Sequence, residues 1–158
     1  DGIRDYKVTG VQTCALPILP GLFGIKRGEH VGNWNADRFE ALGQWGENGR
    51  LQQYMLQSSE KNTIDTSVPA PRFSFPRGRW MKIEQELVLN APNDSNGVVR
   101  VWVDGVMHLE GKDAEYRKAA DVFITGVIAS IHYGGVYVGG VAKKREQIWL
   151  SPFEVRWN

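Results

Sequence analysis

Hydrophobic and polar residues alternate with a period of two along much of this chain. Between Arg79 and Asn90, apolar side chains at positions 81, 83, 87 and 89 share one side, while charged side chains at 82, 84 and 86 share the other. This alternation is typical of a half-buried β-strand. Similar patterns predict further strands in the segments 98–105, 106–111, 121–135 and 146–158.

A hairpin is predicted near the first third of the chain. Phe39–Trp45 and Leu51–Gln57 flank an Asn48-Gly49 dipeptide, which is the strongest short hairpin signal. The polar, proline-rich stretch 58–78 is predicted to be a long connection, and only 112–120 has a helical pattern. About seven strands with hardly any helix predict an all-β fold, an antiparallel β-sandwich or jelly roll.

Residues 1–18 do not fit this pattern. As a signal peptide the segment mixes acidic with basic residues and is interrupted by polar residues and a proline, and its Cys14 has no second cysteine to pair with. Back-translated, the segment resembles a sequencing-library adapter. We therefore predict a non-native segment at 1–18 and one domain at 19–158, N-terminally truncated, so that any signal peptide would lie upstream.

Composition and charge exclude several classes of function. The chain has 158 residues, a formal net charge of +1 and 42% hydrophobic residues, which suits a single globular domain. No apolar run approaches the ~18 residues of a membrane span, so neither a membrane nor nucleic acid is expected as a partner. The loop 90–97 offers one carboxylate, too few for calcium, and Asx turns explain it better. No metal and no cofactor are expected.

Several motifs occur together in an order that resembles family 14 polysaccharide lyases. They are Leu-Pro-Gly-Leu-Phe-Gly at 19–24, Trp-x-Glu-Asn-Gly-Arg at 45–50, the strand–turn–strand pattern at 79–105, and the closing segments 128–135 and 148–157. The resemblance covers nearly all of 19–158. It implies a concanavalin-like jelly roll. It also implies β-elimination on an anionic uronate polysaccharide, alginate-like or glucuronan-like. We predict that the protein is secreted and monomeric.

The family's key positions match this chain poorly. The resemblance implies a lysine where Ile18 stands, a serine and an arginine where Glu40 and Leu42 stand, and a tyrosine pair of which Tyr54 matches the first and Leu56 replaces the second. A divergent lyase and a non-catalytic carbohydrate-binding β-sandwich of the same superfamily therefore both remain open. A cation or histidine beside Tyr54 would favour the enzyme, and an apolar floor around Leu42 and Leu56 would favour the binding domain.

We predict three catalytic candidates, since a base, an acid and a cation are required. Tyr54 would act as base or acid, His30 is the neutral-pH base candidate, and Lys26, next to Arg27, could neutralise a carboxylate. The alternative for Tyr54 is a tyrosine packed in the sheet with its hydroxyl in water, and the alternative for His30 and Lys26 is a solvated surface position. The predicted substrate-binding residues are Gln44, Gln52, Glu84, Arg100, His132 and Tyr133. Glu84 and Arg100 could instead form a cross-strand charge pair, and Trp45 and Trp102 are expected to be packing residues.

Overall fold

A computed structural model describes residues 3–6, 19–33, 35–45, 50–59, 62–76, 78–129 and 147–156 of the chain. In this part of the chain all regular elements are strands and all strand pairs are antiparallel, which confirms the predicted all-β class. The strands are β1 (Ile3–Tyr6), β2 (Gly21–Lys26), β3 (Arg38–Trp45), β4 (Arg50–Ser59), β5 (Asn62–Ser74), β6 (Trp80–Met81), β7 (Ile83–Val88), β8 (Gly97–Val103), β9 (Val106–Ala114), β10 (Val122–Ile128) and β11 (Gln147–Leu150).

The largest sheet has five strands in the order β10-β2-β3-β4-β5. The predicted pairing of the two strands of the hairpin is confirmed, because β3 and β4 pair continuously from Arg38 opposite Ser58 to Trp45 opposite Leu51. The Asn48-Gly49 turn lies outside the described residues. Directly opposite residues of antiparallel strands place their side chains on the same face, so the register sorts these side chains between the two faces of the sheet.

The predicted connection at 58–78 is wrong. The strand β4 continues to Ser59, and Asn62–Ser74 forms β5, which pairs with it along most of its length. Proline is disfavoured in a central strand because it has no N–H to donate to a neighbouring strand, but an edge strand tolerates it. The strand β5 is the edge of its sheet, and this position accommodates Pro69 and Pro71.

A second sheet of three strands, β7-β8-β9, packs its apolar face towards the first. The core cluster between them includes Phe39, Ala41 and Leu51 from the larger sheet. From the smaller sheet it includes Val99, Val101, Val103 and Leu109. Alternating burial along β8, with every second residue buried, follows from the period-two pattern of its sequence.

The single strand expected between Arg79 and Asn90 is divided at Lys82. Asp104, in the turn between β8 and β9, accepts the Lys82 N–H through Oδ1 at 2.9 Å and donates its own N–H to the Lys82 carbonyl at 2.8 Å. Both backbone groups of Lys82 are therefore engaged by this turn. The strand β6 belongs to a different sheet from β7.

The carboxylate of Asp104 makes stability pH-dependent. The Lys82 N–H and then Arg79, at 2.7 Å, hold the pKa of Asp104 below its usual value. A lowered folded-state pKa stabilises the protein above the unfolded-state pKa of about 3.9, and this contribution is lost as pH falls through the folded-state value. We expect Asp104→Asn to be less stable than the parent at neutral pH, with the difference closing in acid. Urea unfolding across this pH range measures it, and a constant difference would contradict the assignment.

A third small sheet has the order β11-β1-β6. The strand β1 pairs with β11 from Ile3 opposite Leu150 to Tyr6 opposite Gln147, and with β6 on its other side. This strand belongs to the segment 1–18 that resembles an adapter, whose origin stays a prediction. In the chain as it stands, β6 and β11 are joined through this strand.

The helix predicted at 112–120 is wrong. Lys112–Ala114 completes β9, and no helix occurs among the residues that follow it up to β10. Tyr116 is buried against Phe39, with ring centroids 5.5 Å apart. The buried Asn90 accepts the N–H groups of Tyr116 and Arg117 through Oδ1 at 2.8 and 3.0 Å. These N–H groups are thereby satisfied by a side chain, and the segment does not need a helical ladder. No helix in the described part could cross a membrane.

Candidate active site

One face of the five-stranded sheet points away from the core cluster. Phe39 and Ala41 of β3 belong to that cluster, so strand alternation places the intervening residues on the opposite face. Ile25 and Leu42 agree with this, because they are buried but lie outside the core cluster. We name this surface the site face and define it by Arg38, Glu40, Leu42 and Gln44 of β3 and Gln52, Tyr54 and Leu56 of β4.

Tyr54 lies near the middle of the site face. It is half-buried and stands directly opposite Leu42, and the next row along the strands pairs Gln44 with Gln52. Three of the residues predicted from the sequence, Tyr54, Gln44 and Gln52, therefore share one face in adjacent rows. An aromatic hydroxyl beside two carboxamides can donate and accept hydrogen bonds to several sugar hydroxyls.

The sequence reasoning missed a buried ion pair on the same face. Arg38 and Glu40 are 3.3 Å apart, and their side chains are only 8% and 12% exposed. Burial lowers the pKa of Arg38, while the negative charges of Glu40 and of Tyr54, when ionised, oppose that shift. Glu40 opposes the shift more strongly than Tyr54 does. The hairpin was predicted to begin at Phe39, and extending its alternation by one residue would have found Arg38.

The other two catalytic candidates are not brought to Tyr54. Lys26 stands opposite the core residue Val122, on the side of the sheet away from the site face. His30 is exposed in the loop that precedes β3, where its Nδ1 accepts the Gly32 N–H at 3.1 Å. That loop lies beyond the row of Arg38, which is four residues, or about 13 Å, from the row of Tyr54.

Arg27 takes a position on the site-face side of the sheet. Its guanidinium lies 4.8 Å from the ring centroid of Phe123, which stands opposite Ile25. Ile25 in turn stands opposite Arg38. A second cation, which unlike Arg38 is exposed, therefore lies at the end of the site face that carries the Arg38–Glu40 pair.

The predicted pair between Glu84 and Arg100 is wrong. Arg100 contacts Glu86, directly opposite on β7, and Glu110 on β9 at 2.9 Å, while Glu84 contacts Lys82 at 2.7 Å. The hydrogen bonds that Arg100 donates to Glu110 and Glu86 raise the pKa of Arg100. Register explains the difference, because Glu84 stands opposite Trp102. These side chains belong to the smaller sheet, and the structure does not bring them to Tyr54.

Three further candidates from the sequence lie wholly or partly outside the described residues. His132 and Tyr133 lie outside the described residues, as does the side chain of Trp45. Trp102 is half-buried on β8 of the smaller sheet. Among the side chains that the structure describes, no group of three or more His, Cys, Asp or Glu could hold a metal ion.

The Leu-Pro-Gly-Leu-Phe-Gly segment brings β2 unusually close to its neighbours. The Leu19 N–H donates to the Gly43 carbonyl at 2.6 Å, which aligns the chain with β3 before β2 begins. A Cβ at Gly21 would overlap the Ala41 carbonyl oxygen, and one at Gly24 would overlap the Phe39 ring. Both glycines are required by close approach. Ile18, where the family resemblance implies a lysine, lies outside the described residues.

The antiparallel sheets that pack around one core define the class of this domain as an all-β jelly-roll sandwich. A sequence profile described as Polysaccharide lyase 14 matches residues 19–150. The chain belongs to this family, as its motifs predicted.

The crystal structure of the marine PL-14 alginate lyase from Aplysia kurodai has the same fold. It matches with a TM-score of 0.66 at 20% sequence identity, over 85% of this chain and 59% of that one. This chain therefore spans less than two thirds of the length of that lyase. A comparison with curated protein sequences gives no match.

Proposed function

We propose that the chain is a polysaccharide lyase that cleaves an anionic uronate polysaccharide by β-elimination. The observation that carries the proposal is the place of Tyr54 on the site face. It lies between the Gln44–Gln52 row and the buried Arg38–Glu40 pair. Membership of polysaccharide lyase family 14 supports the reaction class, and the alginate lyase with the same fold favours an alginate-like or glucuronan-like substrate.

β-Elimination at a uronate places three demands on the protein. A base removes the proton at C5, beside the carboxylate, and the electron pair forms the C4–C5 double bond as the C4–O bond breaks. The departing glycosidic oxygen then takes up a proton from an acid. Negative charge develops on the carboxylate during this step, so a cation or hydrogen-bond donors beside it lower the barrier.

Tyr54 is proposed to transfer the protons. Its phenolic oxygen can accept a proton when ionised and donate one when neutral, so one residue can serve the C5 carbon and then the leaving oxygen. Arg38 lies on the same face as Tyr54, and its positive charge is proposed to favour negative charge at the reacting sugar. Such an electrostatic effect is stronger where water is excluded, and the Arg38 side chain is only 8% exposed.

Arg38 is proposed to take the charge-neutralising role for which the sequence suggested Lys26. The family resemblance implies an arginine two rows nearer Tyr54, where Leu42 stands, and Arg38 lies four residues before Leu42 on the same face. Glu40, between them, is positioned to hold the guanidinium. Gln44 and Gln52 are proposed to bind substrate hydroxyls.

The remaining residues predicted from the sequence are not assigned to the reacting sugar. His30 stands in the loop at the end of the sheet and would contact a long substrate chain rather than the reacting sugar. Lys26 lies on the side of the sheet away from the site face and is given no role in binding the substrate. His132 and Tyr133 stay candidates for substrate binding. Arg100 and Glu84 are satisfied by other partners. We further propose that the protein is secreted and monomeric.

Spectroscopy of the reaction product tests the proposal directly. We expect purified chain incubated with polymannuronate, polyguluronate or glucuronan to produce a rising ultraviolet absorbance, because the new C4–C5 double bond is conjugated with the carboxylate. A neutral β-glucan is the control, since it has no carboxylate to acidify C5. Absence of absorbance with all three uronates would refute the lyase.

Carbohydrate binding without cleavage is the second candidate. It is favoured by Leu42 and Leu56, which stand opposite Tyr54 and Glu40 on the site face, where the family resemblance implies polar residues. Neither leucine carries a group that can transfer a proton or neutralise a carboxylate. Affinity electrophoresis in gels that contain the same polysaccharides distinguishes this candidate, because retardation without product absorbance would identify a binding domain.

A further inference from the structure

A polar side chain interrupts the apolar core face of β7. Ile83 and Leu87 on this strand pack against the core cluster, and Gln85 lies between them on the same face. A polar residue in the middle of an apolar stripe is unfavourable unless its hydrogen bonds are all made. Its partners therefore indicate why an amide occupies this place.

The Gln85 amide reaches three strands of the larger sheet. Its Oε1 accepts the Leu22 N–H at 3.2 Å, and its Nε2 donates to the Ala41 carbonyl at 3.0 Å and to Gln53 Oε1 at 2.9 Å. Leu22 and Ala41 are directly opposite each other on β2 and β3. Both amide protons of Gln85 and its oxygen are thus used.

Gln53 carries this connection to the residue proposed to be catalytic. Its side chain has no exposed surface, and its Nε2 donates to the carbonyl of Tyr54 at 3.1 Å. Because side chains alternate along β4, Gln53 faces the core while Tyr54 faces the site. A continuous chain of hydrogen bonds therefore runs from the second sheet, through Gln85 and Gln53, to the backbone of Tyr54.

We propose that Gln85 and Gln53 are positioning residues for Tyr54, which deepens the proposed function and rests on it. Buried networks in which every group is satisfied are rigid and specify one arrangement. This one ties β2, β3 and β4 to the facing strand β7 directly behind the row of Leu42 and Tyr54. It holds the Tyr54 phenol in place for the reacting sugar without contacting the sugar.

Gln85→Met tests this role because Met has a similar volume and no amide. We expect kcat to fall by about 10- to 100-fold while KM changes little, since small displacements of a catalytic group have effects of this size. Gln57→Met is the matched control. Gln57 lies on the same face of β4, four residues from Gln53, opposite Phe39, and this control is expected to keep the parent kcat.

A second measurement does not depend on activity. With 13C-tyrosine labelling, the Tyr54 ring signal, identified by its loss in Tyr54→Phe, is expected to shift or broaden in Gln85→Met and to stay unchanged in Gln57→Met. This readout decides the positioning role even if the parent shows no lyase activity, which would refute the proposed function alone.

Further variants and an unfolding measurement distinguish a loss of positioning from a loss of folding. Gln85→Asn keeps an amide on a shorter side chain and is expected to give an intermediate kcat, and Gln53→Met is expected to match Gln85→Met. Urea unfolding establishes that each variant is folded. A folded Gln85→Met or Gln53→Met with the parent's Tyr54 signal, and with the parent's kcat where activity is present, would overturn the proposal.

Discussion

Tyr54→Phe is expected to lower the rate of uronate cleavage by about 10²- to 10⁴-fold, the usual contribution of a group that transfers a proton. The phenyl ring fills the same half-buried place on the site face, and only the hydroxyl is removed. The free energy of unfolding should therefore change little. The product absorbance, followed against substrate concentration, gives kcat and KM for the variant.

Tyr116→Phe is the matched control for this substitution. Its hydroxyl is buried and has no hydrogen-bond partner among the described residues, and burial raises its pKa. Removing an unsatisfied buried hydroxyl is neutral or stabilising, so this variant should retain the parent rate. Equal rates for Tyr54→Phe and the parent would exclude Tyr54 from proton transfer.

Arg38→Met is expected to reduce the free energy of unfolding by about 3 kcal/mol, because it leaves Glu40 as a charge with little exposure and without its partner. Urea unfolding measures this loss. Replacing both members of a buried ion pair by apolar residues is often neutral. The double variant Arg38→Met with Glu40→Leu should therefore regain most of the lost stability.

Activity in the double variant separates the two roles of Arg38. If the guanidinium neutralises the uronate carboxylate, the stable double variant still has a strongly reduced kcat. A stable double variant with the parent's kcat would show that Arg38 serves only the fold, and the cation would then have to be sought elsewhere, with Arg27 as the next candidate on this side of the sheet.

Period-two patterning predicted the strands β3, β4 and β7–β10 because each has one face in the core and one outside it. The same reasoning failed for β5. Its prolines and polar residues are unfavourable for a strand when the segment is considered alone. They are tolerated because β5 pairs on one side only. Whether a strand lies at an edge is a property of the sheet, which local sequence does not contain.

The prediction of a helix at 112–120 was wrong for a related reason. Its residues favour a helix locally, but Tyr116 is drawn into the core and Asn90, 26 residues earlier, satisfies the backbone. Tertiary contacts of this kind override helix propensity. A lone asparagine after a strand carries no sequence signal that names its distant partner.

For the candidate site, the sequence placed Tyr54, Gln44 and Gln52 together because strand alternation and a hairpin register suffice to do so. It did not find Arg38, which the predicted strand boundary omitted by one residue. It also paired Arg100 with Glu84 instead of Glu86, since the register of β7 against β8 depends on where the intervening turn begins. The sequence shows Gln85 as a polar residue that interrupts an apolar stripe, but it does not indicate its hydrogen-bond partners, which lie on other strands.

The place of β10 in the larger sheet has a consequence for how the protein folds. Residues 122–128 pair with residues 21–26, so β2 cannot obtain one of its two neighbours until the chain has been made as far as β10. Contacts so distant in sequence slow folding. During synthesis on the ribosome the edge of β2 therefore stays open while about a hundred residues are added. This interval is the period in which the nascent chain is most exposed to intermolecular strand pairing.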